Sequence, residues 1–298
     1  MPPLTDRSAE TGSSVDVLEH LEDVAGGYDA ILCDVWGVIH NGRKAFAPAC
    51  EALTAFRASG GKVCLLTNAP VPKAQVVRYF EPLGVPDTAF DDCVSSGDAT
   101  RALLARYSGK RLWRLGADEG WEHDRFLYQG LDLTFVDDPA EADLGLIVGL
   151  RDQIGGEHPD GYRKELADIS KLGLELVCAN PDIQVRIGDR LHWCGGALAR
   201  IYEHEGGKVI YPGKPHGAIY ALAYQRLEAL GVTDTSRILA IGDGPVTDLK
   251  GANREGLDAL YVGTGLATYQ GGDFAIEAEQ VLSENQVQAR YAQPVLIW

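Results

Sequence analysis

The sequence predicts an α/β protein, a doubly wound parallel-sheet core with a second α/β domain inserted into it, and three observations carry that prediction. Apolar runs at residues 29–35, 62–68 and 237–243 have the length of buried strands, and each reaches an aspartate or threonine near its carboxyl end. A helical pattern follows each run, and strand-then-helix succession calls for parallel pairing through right-handed crossovers. Between the second and third runs lies a stretch with its own α/β rhythm, long enough to form a domain.

The elements follow in order. Residues 15–25 place Val17, Leu18, Leu21 and Val24 on one helical face, with Ser13 or Ser14 available as a cap and Gly26-Gly27 as the stop. After the strand at 29–35 and a glycine-containing turn comes a helix over 48–59, closed by Gly60-Gly61. The strand at 62–68 leads to a helix over 72–83, closed by Gly84. The inserted domain is expected at 99–207, with strands at 144–149 and 174–178 and a helix around 162–172; residues 1–98 and 208–298 then form the core. His192, Trp193 and Cys194 read as packing inside the insert. Beyond the strand at 237–243, a short helix over 246–255 and a strand over 257–262 complete the pattern, and the tail 293–298 is expected to dock on its own core.

Composition narrows the partners. The 298 residues are 45% hydrophobic and 23% charged, as in an ordinary globular protein, with a formal net charge of -16. That balance repels nucleic acid and anionic membranes, and no Lys/Arg-rich run offers an exception. The six cysteines are scattered, without a C-x-x-C pair, and Cys33 and Cys64 sit inside apolar runs, where buried thiols are expected. Residues 1–14 lack the layout of a signal peptide and no apolar run nears the ~20 residues a bilayer demands. A reducing, cytoplasmic setting is the expectation.

The chemistry gathers at strand ends. Asp34, Thr67 and Asp243 terminate the three apolar runs, and Lys214 precedes Pro215, which suits the first position of a helix. Carboxylates from neighbouring strand tips make a hard oxygen site of the kind that holds Mg²⁺, while Thr67 and the amides of the following helix suit an anion. Lys214 adds the positive charge that an anionic ligand needs against the net charge of the chain. Taken singly, an aspartate at a strand end is more often a cap or loop residue, so the weight rests on the set.

Four segments in register, Asp34-Val35-Trp36-Gly37, Leu65-Leu66-Thr67-Asn68, Gly213-Lys214-Pro215 and Gly242-Asp243-Gly244-Pro245-Val246-Thr247-Asp248, resemble the signature motifs of the haloacid dehalogenase superfamily of phosphohydrolases. The insert, with Asn180-Pro181-Asp182, is similar to the large α/β cap of the NagD and pyridoxal-phosphate-phosphatase branch. The resemblance implies a Rossmann-like core and a Mg²⁺-dependent phosphatase acting on a small phosphorylated metabolite such as a sugar phosphate or nucleotide. Asp34 would be the nucleophile that forms an aspartyl-phosphate; Thr67 and Lys214 would serve catalysis and bind phosphate with Asn68; Asn180 and Asp182 would approach from the cap and help choose the substrate. Mg²⁺ would be held by Asp34, Asp243 and the backbone carbonyl of Trp36, with Asp248 in its second shell. The branch often dimerises through its cap, which leaves a homodimer open.

Trp36 departs from the pattern. It stands where phosphatases of the family carry the aspartate that protonates the leaving oxygen, and indole cannot do this. Turnover is then expected to be weak or confined to activated leaving groups, with His40 or His216 as substitute proton donors. The alternative is a non-catalytic phosphate-ligand binding or regulatory protein that retains the magnesium site.

Overall fold

A computed structural model describes residues 15–117, 124–152, 156–188, 190–265 and 271–298; Ser13 and Ser14, the expected caps, lie outside them. The chain begins with β1 (Asp16–Val17), β2 (Ala30–Cys33), β3 (Lys62–Thr67) and β4 (Asp92–Ser95). It continues through β5 (Lys110–Leu115), β6 (Leu133–Phe135), β7 (Leu144–Ile147), β8 (Glu175–Cys178), β9 (Gln184–Ile187), β10 (Arg190–Trp193) and β11 (Lys208–Ile210). It closes with β12 (Ile238–Gly242), β13 (Asp258–Val262) and β14 (Tyr291–Gln293).

Seven strands form one parallel sheet in the order β1-β14-β13-β12-β2-β3-β4. Because side chains alternate along a strand, a sheet covered on both faces must be apolar throughout. Ile31, Cys33, Val63, Leu65, Leu239 and Ile241 pack on one side with Leu53 and Phe56 of the helix Ala47–Ala58. Ala30, Leu32, Cys64, Leu66, Ile238 and Ala240 pack on the other with Ile219, Ala223 and Leu227 of the helix Gly217–Ala229. Successive strands run outward from β2 through β3 to β4, while β12 returns on the opposite side of β2. The crevice at such a reversal is where open α/β sheets bind ligands, and Asp34 and Asp243 follow the two strands that flank it.

A second parallel sheet, β11-β8-β7-β5-β6, carries its own two cores, and β9 and β10 form a separate antiparallel pair. β11, just past the expected boundary at 207, pairs with β8 of this second sheet.

Several elements differ from expectation. Residues 15–25 split into the edge strand β1, paired with β14, and a single helical turn, Glu22–Ala25. The helix expected at 72–83 is broken into Lys73–Arg78 and Phe80–Leu83, with Pro82 in the second piece unable to donate to a continuous ladder. Pro215 does not start a helix: its peptide bond with Lys214 is cis and His216 is the cap of Gly217–Ala229. The tail docks as expected, with Leu296 buried and the carbonyl of Ile297 accepting from the amide of Leu21 at 2.9 Å. All six cysteines are buried and unpaired, and burial lifts the thiol of Cys64 to about 12. Among the described residues no helix is long and apolar enough to cross a membrane.

Candidate active site

The ends of β2, β3 and β12 bring Asp34, Thr67 and Asp243 to one cavity, and Lys214 reaches it from the segment after β11. The Lys214 ammonium donates to Asp34 Oδ1 at 2.5 Å and to Asp248 Oδ1 at 2.6 Å, and all three side chains are under a tenth exposed. Burial alone would lower the pKa of Lys214, but the Asp248 and Asp34 carboxylates outweigh it and hold the amine well above its usual pKa. Asp248 is pushed up to about 6, chiefly by burial and then by the Asp34 charge.

Oxygens of Asp34, Asp243 and Asp248 lie within 4.8 Å of one another, a donor set of hard ligands suited to Mg²⁺. Asp243 rises well above the carboxylate range, first by burial and then by its Asp34 and Asp248 neighbours; a cation there relieves both costs. The backbone is shaped around this group: Gly37 has φ +85°, and a Cβ there would fall 2.5 Å from Asp243 Oδ2, while one on Gly265 would fall 1.7 Å from the same atom. The site therefore fits the ion. Asp248 is engaged on both oxygens, by Lys214 and by the Gly244 amide at 3.0 Å, which suits it to a place behind the metal.

Asn68 is engaged within the protein. Its Oδ1 accepts the Lys214 amide at 2.8 Å, and its Nδ2 donates to Asp182 Oδ1 at 2.8 Å and to the Lys214 carbonyl at 3.2 Å. The buried amide thus ties the cap to the lysine segment, and phosphate would have to compete with those bonds. Asn180 Oδ1 accepts the Asp182 amide at 3.1 Å, so its side chain shapes the turn that presents Asp182 to the cavity. Thr67 Oγ1 accepts the Ala69 amide at 3.2 Å, which leaves its hydroxyl proton to donate.

The two candidate proton donors are poorly placed. His40 is 3% exposed, its Nδ1 accepts the Gly42 amide at 3.1 Å, and its ring meets Trp36 edge-on at 4.9 Å. Burial lowers its pKa from 6.5 to about 4. His216 is stacked on Tyr211 at 5.0 Å, outside the cavity that holds Asp34, and burial lowers its pKa as well.

The neutral state of His40 has a consequence for stability. Below pH 6.5 the unfolded chain takes a proton there that the folded chain refuses until about pH 4, so His40 withdraws stability as pH falls through that window. The loss is on the order of 2 kcal/mol at pH 5. Urea unfolding at pH 7.5 and pH 5 should show the wild type losing about that much more than His40→Gln. Equal losses would show that His40 titrates normally in the fold.

Two segments of the insert add to the site. Gln184, Val185 and Arg186 of the hairpin line the cavity above Asp34, and His192, Trp193 and Cys194, expected as packing, line a second cavity beside it.

Family models for haloacid dehalogenase-like hydrolases match residues 31–124 and, in a HAD-hydrolase-like model, residues 211–283. A haloacid dehalogenase-like hydrolase from Brucella suis 1330 is 40% identical, with 94% of this chain and all of that one covered and a TM-score of 0.82. The chain belongs to the haloacid dehalogenase-like family. The ribonucleotide monophosphatase NagD of Escherichia coli K12 is 27% identical over 241 residues, covering 80% of this chain and 88% of that protein. The fold is shared with a Mycobacterium tuberculosis glycerol phosphate phosphatase solved with magnesium, at 24% identity and a TM-score of 0.62, over 82% of this chain and 70% of that one.

Proposed function

We propose that this member of the family is a Mg²⁺-dependent phosphatase that hydrolyses a small phosphate monoester through an aspartyl-phosphate on Asp34. The observation that carries the reading is the ion pair of Asp34 with Lys214 at 2.5 Å, at the sheet's reversal point and beneath a cavity of about 110 Å³, a volume suited to a phosphoryl group. Asp34 attacks phosphorus; the P–O bond to the alcohol breaks, and water later attacks the acyl phosphate to return the carboxylate and release phosphate. Lys214 fixes the orientation of Asp34 and offsets negative charge on the transferring group. The Thr67 hydroxyl donates to a phosphoryl oxygen. Asp34, Asp243 and the Trp36 carbonyl, with Asp248 behind them, would hold Mg²⁺, which when bound supplies Lewis-acid stabilisation of phosphoryl charge.

Binding without turnover is the second reading, favoured by the indole at position 36 and by the engagement of His40. A panel of phosphate esters with Mg²⁺, run beside ligand-induced thermal shifts, separates the two: phosphate release supports the first, shifts without release the second.

Metal binding has its own readout. An ion that binds only the folded state stabilises it by linkage, so Mg²⁺ at about a hundred times its dissociation constant should add roughly 2.7 kcal/mol. The accompanying rise in melting temperature should largely vanish in Asp243→Asn. The same rise in both proteins would remove Asp243 from the metal site.

A further inference from the structure

Beside the small cavity over Asp34 lies a larger one of about 510 Å³, between core and cap, and the two share Trp36, Thr67, Asp182 and Val185 as a common wall. A phosphate monoester placed with its phosphoryl group over Asp34 must send its alcohol into this second space. Its size is in the range that encloses a small organic molecule. The wall is built from Trp36, Val71, Tyr79, Phe80, Leu83 and Trp193. Trp36 is held in it by close packing: a Cβ on Gly42 would fall 2.2 Å from the indole Cη2, so only glycine lets the ring lie there.

A polyhydroxylated alcohol needs hydrogen-bond partners for each hydroxyl it loses from water. Several of the polar side chains that border this mostly apolar cavity are already engaged within the protein. His40 Nδ1 accepts the Gly42 amide, Asp124 pairs with Arg114 at 2.5 Å, Asp182 accepts from Asn68, and Asn180 Oδ1 accepts the Asp182 amide. From this we infer that the substrate is the phosphate monoester of an apolar alcohol, one carrying an aromatic ring or comparable hydrocarbon bulk. The inference rests on the phosphatase reading for the position of the phosphoryl group. It gives Trp36 a role as a wall for the leaving alcohol, at the position where phosphatases of the family have an acid.

The test uses binding, so that it does not depend on turnover. Two phosphonates that cannot be hydrolysed, 3-phenylpropylphosphonate and 3,4-dihydroxybutylphosphonate, carry the same charged head and differ only in the tail. Calorimetry with the full chain and Mg²⁺ should show the phenyl compound binding at least about tenfold more tightly, the scale expected for burying a ring face. Trp193→Ala and, as a milder change at a partly exposed position, Tyr79→Ser should each shrink that preference to within about threefold. Equal affinities in the wild type, tighter binding of the diol, or a preference untouched by both substitutions would overturn the inference. Hydrolysis of p-nitrophenyl phosphate that survives in Asp34→Asn would instead sink the mechanistic reading, and the binding comparison would stand apart from it.

Discussion

Asp34→Asn should reduce hydrolysis of any phosphate monoester to background while the protein stays folded. The amide has the shape of the carboxylate but lacks the charge and lone-pair basicity that attack phosphorus, so the covalent step is lost rather than slowed. A deficit on the order of a thousandfold or more in kcat is expected, the scale on which a hydrolase loses its nucleophile. Folding should survive because Lys214 keeps its 2.6 Å bond to Asp248, and because Asp243, pushed up in part by the Asp34 charge, gains from its removal. Steady-state kinetics beside a thermal melt reads both parts. Activity within tenfold of the wild type in a folded variant would show that Asp34 is not the nucleophile.

The second large effect concerns Trp36. General acid help is typically worth about 10²–10⁴-fold, and it matters most when the leaving alcohol is a poor one. Phenyl and cyclohexyl phosphate form a suitable pair: both tails are apolar and similar in size, so the large cavity treats them alike, while phenoxide departs without a proton and cyclohexanol does not. The wild type should hydrolyse the phenyl ester at least about a hundredfold faster. Trp36→Asp should narrow the gap by raising the slower rate, provided a melt shows that losing the indole from its place against Gly42 and His40 has not loosened the fold. Similar rates for both esters in the wild type would mean that another group delivers the proton. Asp182 is then the candidate, since burial raises its carboxyl above the usual range and it borders both cavities, whereas His40 is buried with its Nδ1 engaged.

The core was the legible part of this chain, for a physical reason. Strands buried on both faces are continuous apolar runs, and the residues at their carboxyl ends project into the crevice whatever the rest of the fold does, so Asp34, Thr67 and Asp243 could be read from local pattern. Residues 15–25 misled because β1 exists only through its pairing with β14, near the opposite end of the sequence, and Val17 and Leu18 satisfy a helical spacing equally well. The phosphate role of Asn68 comes from the family resemblance alone; its engagement with Asp182 and Lys214 has no local signal, because it depends on contacts 114 and 146 residues away. The hairpin β9–β10 had no such signal. Its residues are half-buried or exposed, and alternate too weakly to announce a strand.

The most direct test of the account is to look for phosphate on Asp34 itself. Wild-type protein with Mg²⁺, mixed briefly with a phosphate ester that it turns over and quenched in acid, should yield by mass spectrometry a peptide containing Asp34 that is heavier by one phosphoryl group, and Asp34→Asn should yield none. Turnover with no such adduct at any mixing time, or an adduct on a different residue, would contradict the assignment of Asp34 as the nucleophile of this site.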